Sequence, residues 1–547
     1  MPGSAHVDSF ANDRLPPSEQ QPEFIFELPG LQFPPQLNCA TALLDDAVQQ
    51  RGWGERSAVL APQGPSWTYA DLLVQANRIA RVLVSDMGLV PGNRVLLRAG
   101  NSPLLAACWL AVVKAGGIAV ATMPLLRAKE LATIIDKAQV SHALCDAALA
   151  DELNAAIAEQ PVMRECRLFN TAAEDGLEAL MARQPPGFDN VVTAAQDTVL
   201  IAFTSGTTGQ PKGTMHNHRD VMAACACWPP HLLQAGPDDR FIGSPPLAFT
   251  FGLGGLLLFP LSIGASALLL DKPTPAGLLQ AVVDHRATVL VTAPTSYRVL
   301  AEDAGAARIG AAQGGPLRKC VSAGEVLPAA TRALWKQRTG IEIIDGIGAT
   351  EMLHIFISHD EAHARPGATG TVVPGYRACV LDAQGRPAKT GEIGRLAVKG
   401  PTGCRYLDDP RQAHYVQNGW NLTGDAYWQD EDGYFHFHAR TDDMIVSAGY
   451  NIAAPEVEEA LLAHPAVAEC AVVGVPDEQR GQIVKAFVVL RPGHEPNAST
   501  TRALQDHVKA GIAPYKYPRA VDYLPSLPRT ETGKLQRFKL KSEGRPA

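Results

Sequence analysis

Short apolar runs alternate along much of the chain with stretches in which apolar residues recur at helical spacing. Arg94-Val-Leu-Leu-Arg follows Pro91-Gly92 and reads as a strand, residues 103–114 as a helix, and Ile118–Ala121 as a second strand. Strand, helix and strand at this spacing predict the βαβ unit of a parallel sheet, whose strands are joined by crossovers rather than tight turns. The rhythm returns as strand Ser266–Leu270, helix 275–286 and strand Ala287–Val291, then as strand Leu317–Ser322, helix 328–338 and strand Glu342–Asp345. Upstream, a helical period begins near residue 39 and Trp67-Thr-Tyr leads into a long helix ending near 87. Two longer apolar stretches, Leu104–Met123 and Gly252–Leu270, are interrupted by Lys114, Pro260 and several glycines. A membrane span needs about 20 continuous apolar residues, so both read as helix–turn–strand units and no membrane association is expected.

The texture changes after about residue 365, where strand-like Arg377–Leu381 and Gly394–Val398 are separated by Gly/Pro turns, the pattern of a small β subdomain. Beyond Arg440 come helix 455–463, strands 467–473 and 484–490, helix 500–510 and strand 519–524, enough α+β structure for a separate unit. The expected class is α/β: an N-terminal arm over 1–36, a large domain over 37–441 made of α/β subdomains plus the small β subdomain, and a small α+β C-terminal domain over 442–547.

Composition narrows the class. Hydrophobic residues make up 46% of the 547, which excludes disorder. Forty-eight basic residues against 56 acidic give a net charge of −8, and this balance gives no basic field for nucleic acid. The first residues lack a basic start followed by an apolar run, so a cytoplasmic location is expected. Ten cysteines are scattered without a CxxC pair, and read as reduced buried thiols rather than a zinc or redox site.

The strongest local signal is Thr204-Ser-Gly-Thr-Thr-Gly-Gln-Pro-Lys-Gly213, which follows the apolar run Thr198–Phe203. Its glycines let backbone N–H groups curl around an anion, its hydroxyls donate to phosphate oxygens and Lys212 adds a cation. Pro211 and Gly213 flank the lysine, so this is not the GxxxxGK[ST] phosphate loop. The string resembles the phosphate-binding signature of the adenylate-forming superfamily of acyl-CoA synthetases, peptide-synthetase adenylation domains and luciferases. Matching segments recur from about residue 40 to 540.

That resemblance implies roles for Thr204, Ser205, Gly206, Thr207, Thr208, Gly209 and Lys212 around the ATP phosphates. Asp345-Gly-Ile-Gly-Ala-Thr-Glu351 resembles the family motif whose Thr lies near the α-phosphate and whose Glu binds Mg²⁺, here Thr350 and Glu351. Asp345, Gly346 and Ile347 would adjoin the nucleotide, Ile347 replacing a common aromatic and so removing one stacking face. Ser322-Ala323-Gly324-Glu325 resembles the loop along the adenine. Asp425 of Thr423-Gly-Asp resembles the ribose-binding aspartate and Arg440 the arginine near the ribose, while Asp442 falls at the hinge that makes the small domain mobile. Lys534, in Pro528-Arg-Thr-Glu-Thr-Gly-Lys, resembles the catalytic lysine. A cation there would offset the repulsion as a carboxylate attacks the α-phosphorus.

Ser447-Ala-Gly449-Tyr450 resembles the segment that lines the coenzyme A tunnel after domain rotation. The strings Asp345–Phe356, Thr371–Tyr376 and Arg537–Leu540 look like benzoate-CoA ligases, and the stretch around Asn38-Cys-Ala looks most like 2-aminobenzoate-CoA ligases. By the same matching the acid pocket comprises Phe249, Thr250, Phe251, Gly348, His354 and Ile355. His354 reads equally as a ligand-facing or a core histidine. Thr250 adds a hydroxyl that either accepts from an ortho amine or bonds its own backbone. The expected activity is ATP-dependent formation of an aryl-adenylate and then an aryl-CoA, with 2-aminobenzoate the first choice and benzoate or hydroxybenzoate the alternatives. Transfer to a separate carrier protein, luciferase-like oxidation and non-catalytic adenylate binding stay open. ATP, Mg²⁺ and coenzyme A are the expected cofactors, a small aromatic acid the partner, and a homodimer the ordinary expectation for oligomeric state.

Overall fold

The structure is a computed structural model that describes residues 3–204, 211–310, 314–440, 444–447, 450–477, 480–529 and 535–543. Two large sheets form its frame. The first has six strands in the order Glu165–Phe169, His142–Asp146, Arg94–Arg98, Ile118–Thr122, Thr198–Thr204 and Lys212–Asn217, parallel except for the last, antiparallel pair. Arg94–Arg98 is buried along its whole length, as a strand covered on both faces requires. Helix Pro103–Lys114 starts on the Ser102 side chain, which accepts from Leu105 N–H, with proline in the first turn, where its missing N–H costs nothing. The helix then crosses back to the strand at 118, as the sequence predicts.

The second sheet has nine strands. Its six parallel members run Ile343–Gly348, Lys319–Ala323, Val289–Thr292, Arg240–Gly243, Ser266–Leu268 and Ser57–Leu60, and antiparallel strands close both edges. The period-2 alternation of strand side chains partitions the core. Val95 and Leu97 join Val289 and Val291 in one cluster shared by both sheets, while Leu96 faces a second cluster and Leu290 a third.

A five-stranded antiparallel unit follows, with Arg377–Leu381, Gly394–Lys399, Trp420–Gln429 and Phe435–Arg440 as its main strands. The C-terminal part holds a three-stranded sheet of Val467–Asp477, Gly481–Leu490 and Ala520–Tyr523, packed against helices Ala454–Leu462 and Ala498–Gly511 and joined by the ribbon Met444–Ser447/Tyr450–Ala453. Among the described residues no helix is long and apolar enough to cross a membrane.

The arm is more than a surface layer. Asp8 pairs with Arg94 at 2.6 Å, Ile25 N–H donates to Gly400 O at 3.0 Å, and Glu27 pairs with Arg377 at 2.8 Å. It thereby ties the first sheet to the β subdomain, and Ala11, Ile25 and Leu31 are buried. Proline and charge density in the sequence concealed those anchors.

Candidate active site

The phosphate-binding string joins two strands of a hairpin rather than a strand and a helix. Thr204 and Lys212 face each other across the antiparallel pair, and helix His218–Trp228 begins only after the second strand. Ser205, Gly206, Thr207, Thr208 and Gly209 lie outside the described residues. Thr204 Oγ1 is buried without a hydrogen-bond partner at the mouth of the turn.

Lys212 does not stand alone. Its Nζ donates to Glu351 Oε1 at 3.2 Å and to the Tyr406 hydroxyl at 2.8 Å, and that hydroxyl donates to the same Glu351 oxygen at 2.5 Å. Burial pushes the Glu351 carboxyl up, but the Lys212 charge and the Tyr406 hydroxyl outweigh it and leave its pKa below the ordinary 4.5. Burial, with the neighbouring carboxylate, pushes the Tyr406 phenol far up, so it remains a donor. Thr350 and Glu351 sit in a single helical turn whose Thr350 carbonyl is hydrogen-bonded to His216 Nε2 at 2.7 Å. Leu353 closes that turn at φ 67°, a left-handed conformation costly for a bulky residue, and Thr402 Oγ1 holds the preceding carbonyl at 2.8 Å.

The nucleotide candidates gather at the carboxyl ends of parallel strands, where open α/β sheets place their ligands. Ser322 pairs with Asp345 and Ala323 with Gly346 in adjacent strands, so two strings separated in sequence form one edge. Gly324 takes φ 93°, a conformation that favours glycine. Glu325 accepts a hydrogen bond from Thr295 Oγ1. Burial pushes the Asp345 carboxyl up to about 7, against the opposing pull of Arg332, the Ser322 side chain and the Gly346 main chain. Ile347 lies in the same strand, half-buried. Asp425 and Arg440 are direct cross-strand neighbours joined by a 3.1 Å ion pair.

Helix Thr250–Leu253, capped by Phe249, begins the acid-pocket wall. His354 lies between Trp228, Phe251 and Phe259, with ring centroids at 5.7, 5.7 and 4.5 Å. It is buried, and burial lowers its pKa to about 3 against the opposing pull of the Phe251 main chain, so the ring is neutral. The main-chain turn after this helix is wide at Gly254–Leu258, and a Cβ on Gly254 would lie 2.4 Å from His354 Cδ2. The Thr250 side chain makes no hydrogen bond to the described residues, so the self-bonded alternative has no support. Gly348 lies against the main chain: a Cβ there would meet the His354 carbonyl carbon and oxygen at 2.8 Å. Ile355, beside it, is buried and faces Gly346.

Lys534, Asp442 and Gly449 lie outside the described residues, as does the Tyr450 side chain. Ser447 pairs with Tyr450 in the C-terminal ribbon, its hydroxyl buried without a partner. Arg529, in the same string as Lys534, lies 3.5 Å from Glu325 and 2.6 Å from Glu469, bringing that end of the string beside the adenine-loop candidate. Reasoning from sequence missed Tyr406 and His216. Tyr406 lies in Cys-Arg-Tyr-Leu, which contains no phosphate-loop or acidic motif, and only the fold brings it to Glu351.

The family models for the AMP-binding enzyme and for the AMP-binding enzyme C-terminal domain match residues 45–405 and 456–534. The chain belongs to the AMP-binding enzyme family. It is 34% identical to a benzoate–CoA ligase of Thauera aromatica over 94% of this chain and 97% of that protein. Among solved structures it resembles the anthranilate CoA ligase AuaEII in complex with anthranoyl-AMP (TM-score 0.87, 31% identity, 95% of this chain and 99% of that one). It also resembles a benzoate CoA ligase from Burkholderia xenovorans LB400 (TM-score 0.84, 31% identity, 92% of this chain and all of that one, 100%). Within the AMP-binding enzyme family the chain is an acid–thiol ligase of the benzoate-CoA ligase branch, with the large N-terminal and smaller C-terminal parts of its neighbours.

Proposed function

We propose that the enzyme activates an aromatic carboxylic acid, with 2-aminobenzoate the best fit, and transfers the acyl group to coenzyme A. The observation that supports the choice of acid is the aromatic cluster around His354. The rings of Trp228, Phe251 and Phe259 pack around a neutral imidazole, and Thr250 begins the short helix that carries Phe251. Such an aromatic wall suits a flat ring laid against it, and an ortho amine could donate to the Thr250 hydroxyl. Buried polar atoms left unpaired by a ligand cost affinity, which favours the substituted ring over plain benzoate.

In the first half-reaction a carboxylate oxygen attacks the α-phosphorus of ATP, and pyrophosphate leaves. Asp425, a two-oxygen acceptor, takes the ribose hydroxyls with Arg440 beside it. Ala323, Gly324 and Glu325 border the adenine, together with Asp345, Gly346 and Ile347. The hydroxyls and N–H groups of 204–209 cradle the phosphates, and Thr350 lies near the α-phosphate. Lys212 exchanges its Glu351 contact for a phosphate oxygen. Among the described residues no group of three or more His, Cys, Asp or Glu side chains could hold a metal ion alone. Glu351 nevertheless fits a Mg²⁺–nucleotide ligand, since both its hydrogen bonds fall on Oε1 and its carboxyl is ionised. Bound there with ATP, Mg²⁺ would neutralise phosphate charge. Lys534 offsets the charge of the attacking carboxylate. In the second half-reaction the small domain, 442–547, turns about Asp442 relative to the large domain, 37–441, and brings Ser447, Gly449 and Tyr450 to the pantetheine. The thiol sulfur bonds the acyl carbon and AMP leaves. We place the enzyme in the cytoplasm, as a homodimer.

The test is CoA-dependent AMP formation with 2-aminobenzoate, benzoate, hydroxybenzoates, cinnamate and a medium-chain fatty acid. The highest kcat/KM is expected for 2-aminobenzoate. A higher value for the fatty acid would overturn the reading of the pocket while leaving the adenylate chemistry intact.

A further inference from the structure

We infer that Tyr406 is a positioning residue that sets the spacing between Lys212 and Glu351 and so keeps both available to the triphosphate. Its backbone is fastened to the strand that carries the lysine: Tyr406 bridges Thr214, Leu407 N–H donates to Gly213 O at 2.8 Å, and Met215 N–H donates to Arg405 O at 2.8 Å. The ring is 1% exposed, and Lys212 Nζ stands 4.9 Å from its centroid. The hydroxyl accepts from Lys212 and donates to Glu351 Oε1, and so sits between the two charges.

The distances show the consequence. Charge-assisted N–H···O bonds settle at about 2.7–2.9 Å, but Lys212 and Glu351 stand 3.2 Å apart while each makes a shorter bond to the tyrosine. The hydroxyl competes for both partners and keeps the direct ion pair loose. Without it, Lys212 and Glu351 close on each other, the carboxylate keeps one donor instead of two, and the lysine must be pulled from a tighter pair before it reaches a phosphate. The effect reaches only ligands that engage these two groups. A nucleotide without β- and γ-phosphates does not sense it.

The inference rests on the proposed phosphate role of Lys212 and Glu351. The experiment is equilibrium binding of α,β-methylene-ATP and of AMP to the full chain, with Mg²⁺ and with EDTA, in wild type, Tyr406→Phe, Lys212→Met and the double variant. Wild type is expected to bind the ATP analogue more tightly with Mg²⁺ than with EDTA. Tyr406→Phe is expected to weaken Mg²⁺-dependent binding of the analogue about tenfold, the scale of one hydrogen bond to a charged group. Its AMP affinity should stay within about twofold of wild type, and in the Lys212→Met background the same change should cost less than about twofold, as coupled neighbours require. Equal losses for AMP and the analogue, an unchanged analogue affinity, or additive effects with Lys212→Met would overturn the inference. So would loss of the wild-type unfolding transition in Tyr406→Phe, since the hydroxyl would then hold the fold rather than the site. Absence of Mg²⁺-dependent analogue binding in wild type would overturn the phosphate role itself and the inference with it.

Discussion

At one end of the cleft Lys212, Tyr406 and Glu351 satisfy one another through three hydrogen bonds, and Asp425 and Arg440 form an ion pair beside them. At the other end His354 sits neutral among the rings of Trp228, Phe251 and Phe259, near the helix that Thr250 begins. The first arrangement stores its charges in internal pairs that a nucleotide must exchange. The second is a neutral, apolar surround with no ion pair of its own among the described residues.

The largest expected effect is at the phosphate end. Lys534→Ala should lower adenylate formation at least about 100-fold, the scale of losing one preorganised charge contact in the transition state. The fold loss should be the same for every acid, and thioester formation from preformed adenylate should change far less. An equal loss in both half-reactions, measured by single turnover, would break the division. Next is Gly254→Ala, whose Cβ would collide with the His354 ring. Overpacking of about 1–3 kcal/mol corresponds to a drop of roughly ten- to a hundredfold in kcat/KM for aromatic acids, with KM for ATP unchanged. A matching rise in the KM for ATP would show that the two ends are not separate.

The pH dependence of stability sharpens the contrast. Burial lowers His354 to about 3, as it does His218, and lowers His359 to about 4, against an ordinary 6.5. All three are neutral in the fold and take up protons on unfolding, so their contribution is complete above pH 6.5 and is lost as pH falls toward 4. His354→Phe should flatten the slope of stability against pH by about 1.4 kcal/mol per unit between pH 6 and 4, seen in denaturant unfolding. Glu351 behaves oppositely in cause: its pKa is lowered by partners, and its contribution is lost only as pH falls below 4.5 through its folded value. The smallest effect is Thr250→Ala, which should reduce the preference for 2-aminobenzoate over benzoate about fivefold, near 1 kcal/mol for one neutral hydrogen bond. Unchanged selectivity would remove Thr250 from substrate recognition.

Much of this frame was legible in the sequence because strands and crossover helices carry local periodicity. Arg94–Arg98, Pro103–Lys114 and Arg377–Leu381 fall where the pattern puts them. The strings that the resemblance ties to the nucleotide stand out in the sequence, but the pairing of Asp425 with Arg440 across two strands is long-range register, which no short window contains. Tyr406 and Trp228 were invisible for the same reason. Each looks like core until the fold shows what lies beside it. The arm's role as a tie between the first sheet and the β subdomain rests on contacts such as Asp8–Arg94 and Glu27–Arg377, which link residues far apart in the chain.

The account turns on chemistry that proceeds through an acyl-adenylate before any thiol takes part. The measurement that tests it most directly is exchange of labelled pyrophosphate into ATP in the absence of coenzyme A. The account predicts rapid exchange that requires 2-aminobenzoate or a related aromatic acid and collapses in Lys534→Ala. Exchange that required coenzyme A, or no exchange with any acid while ADP accumulated, would contradict it.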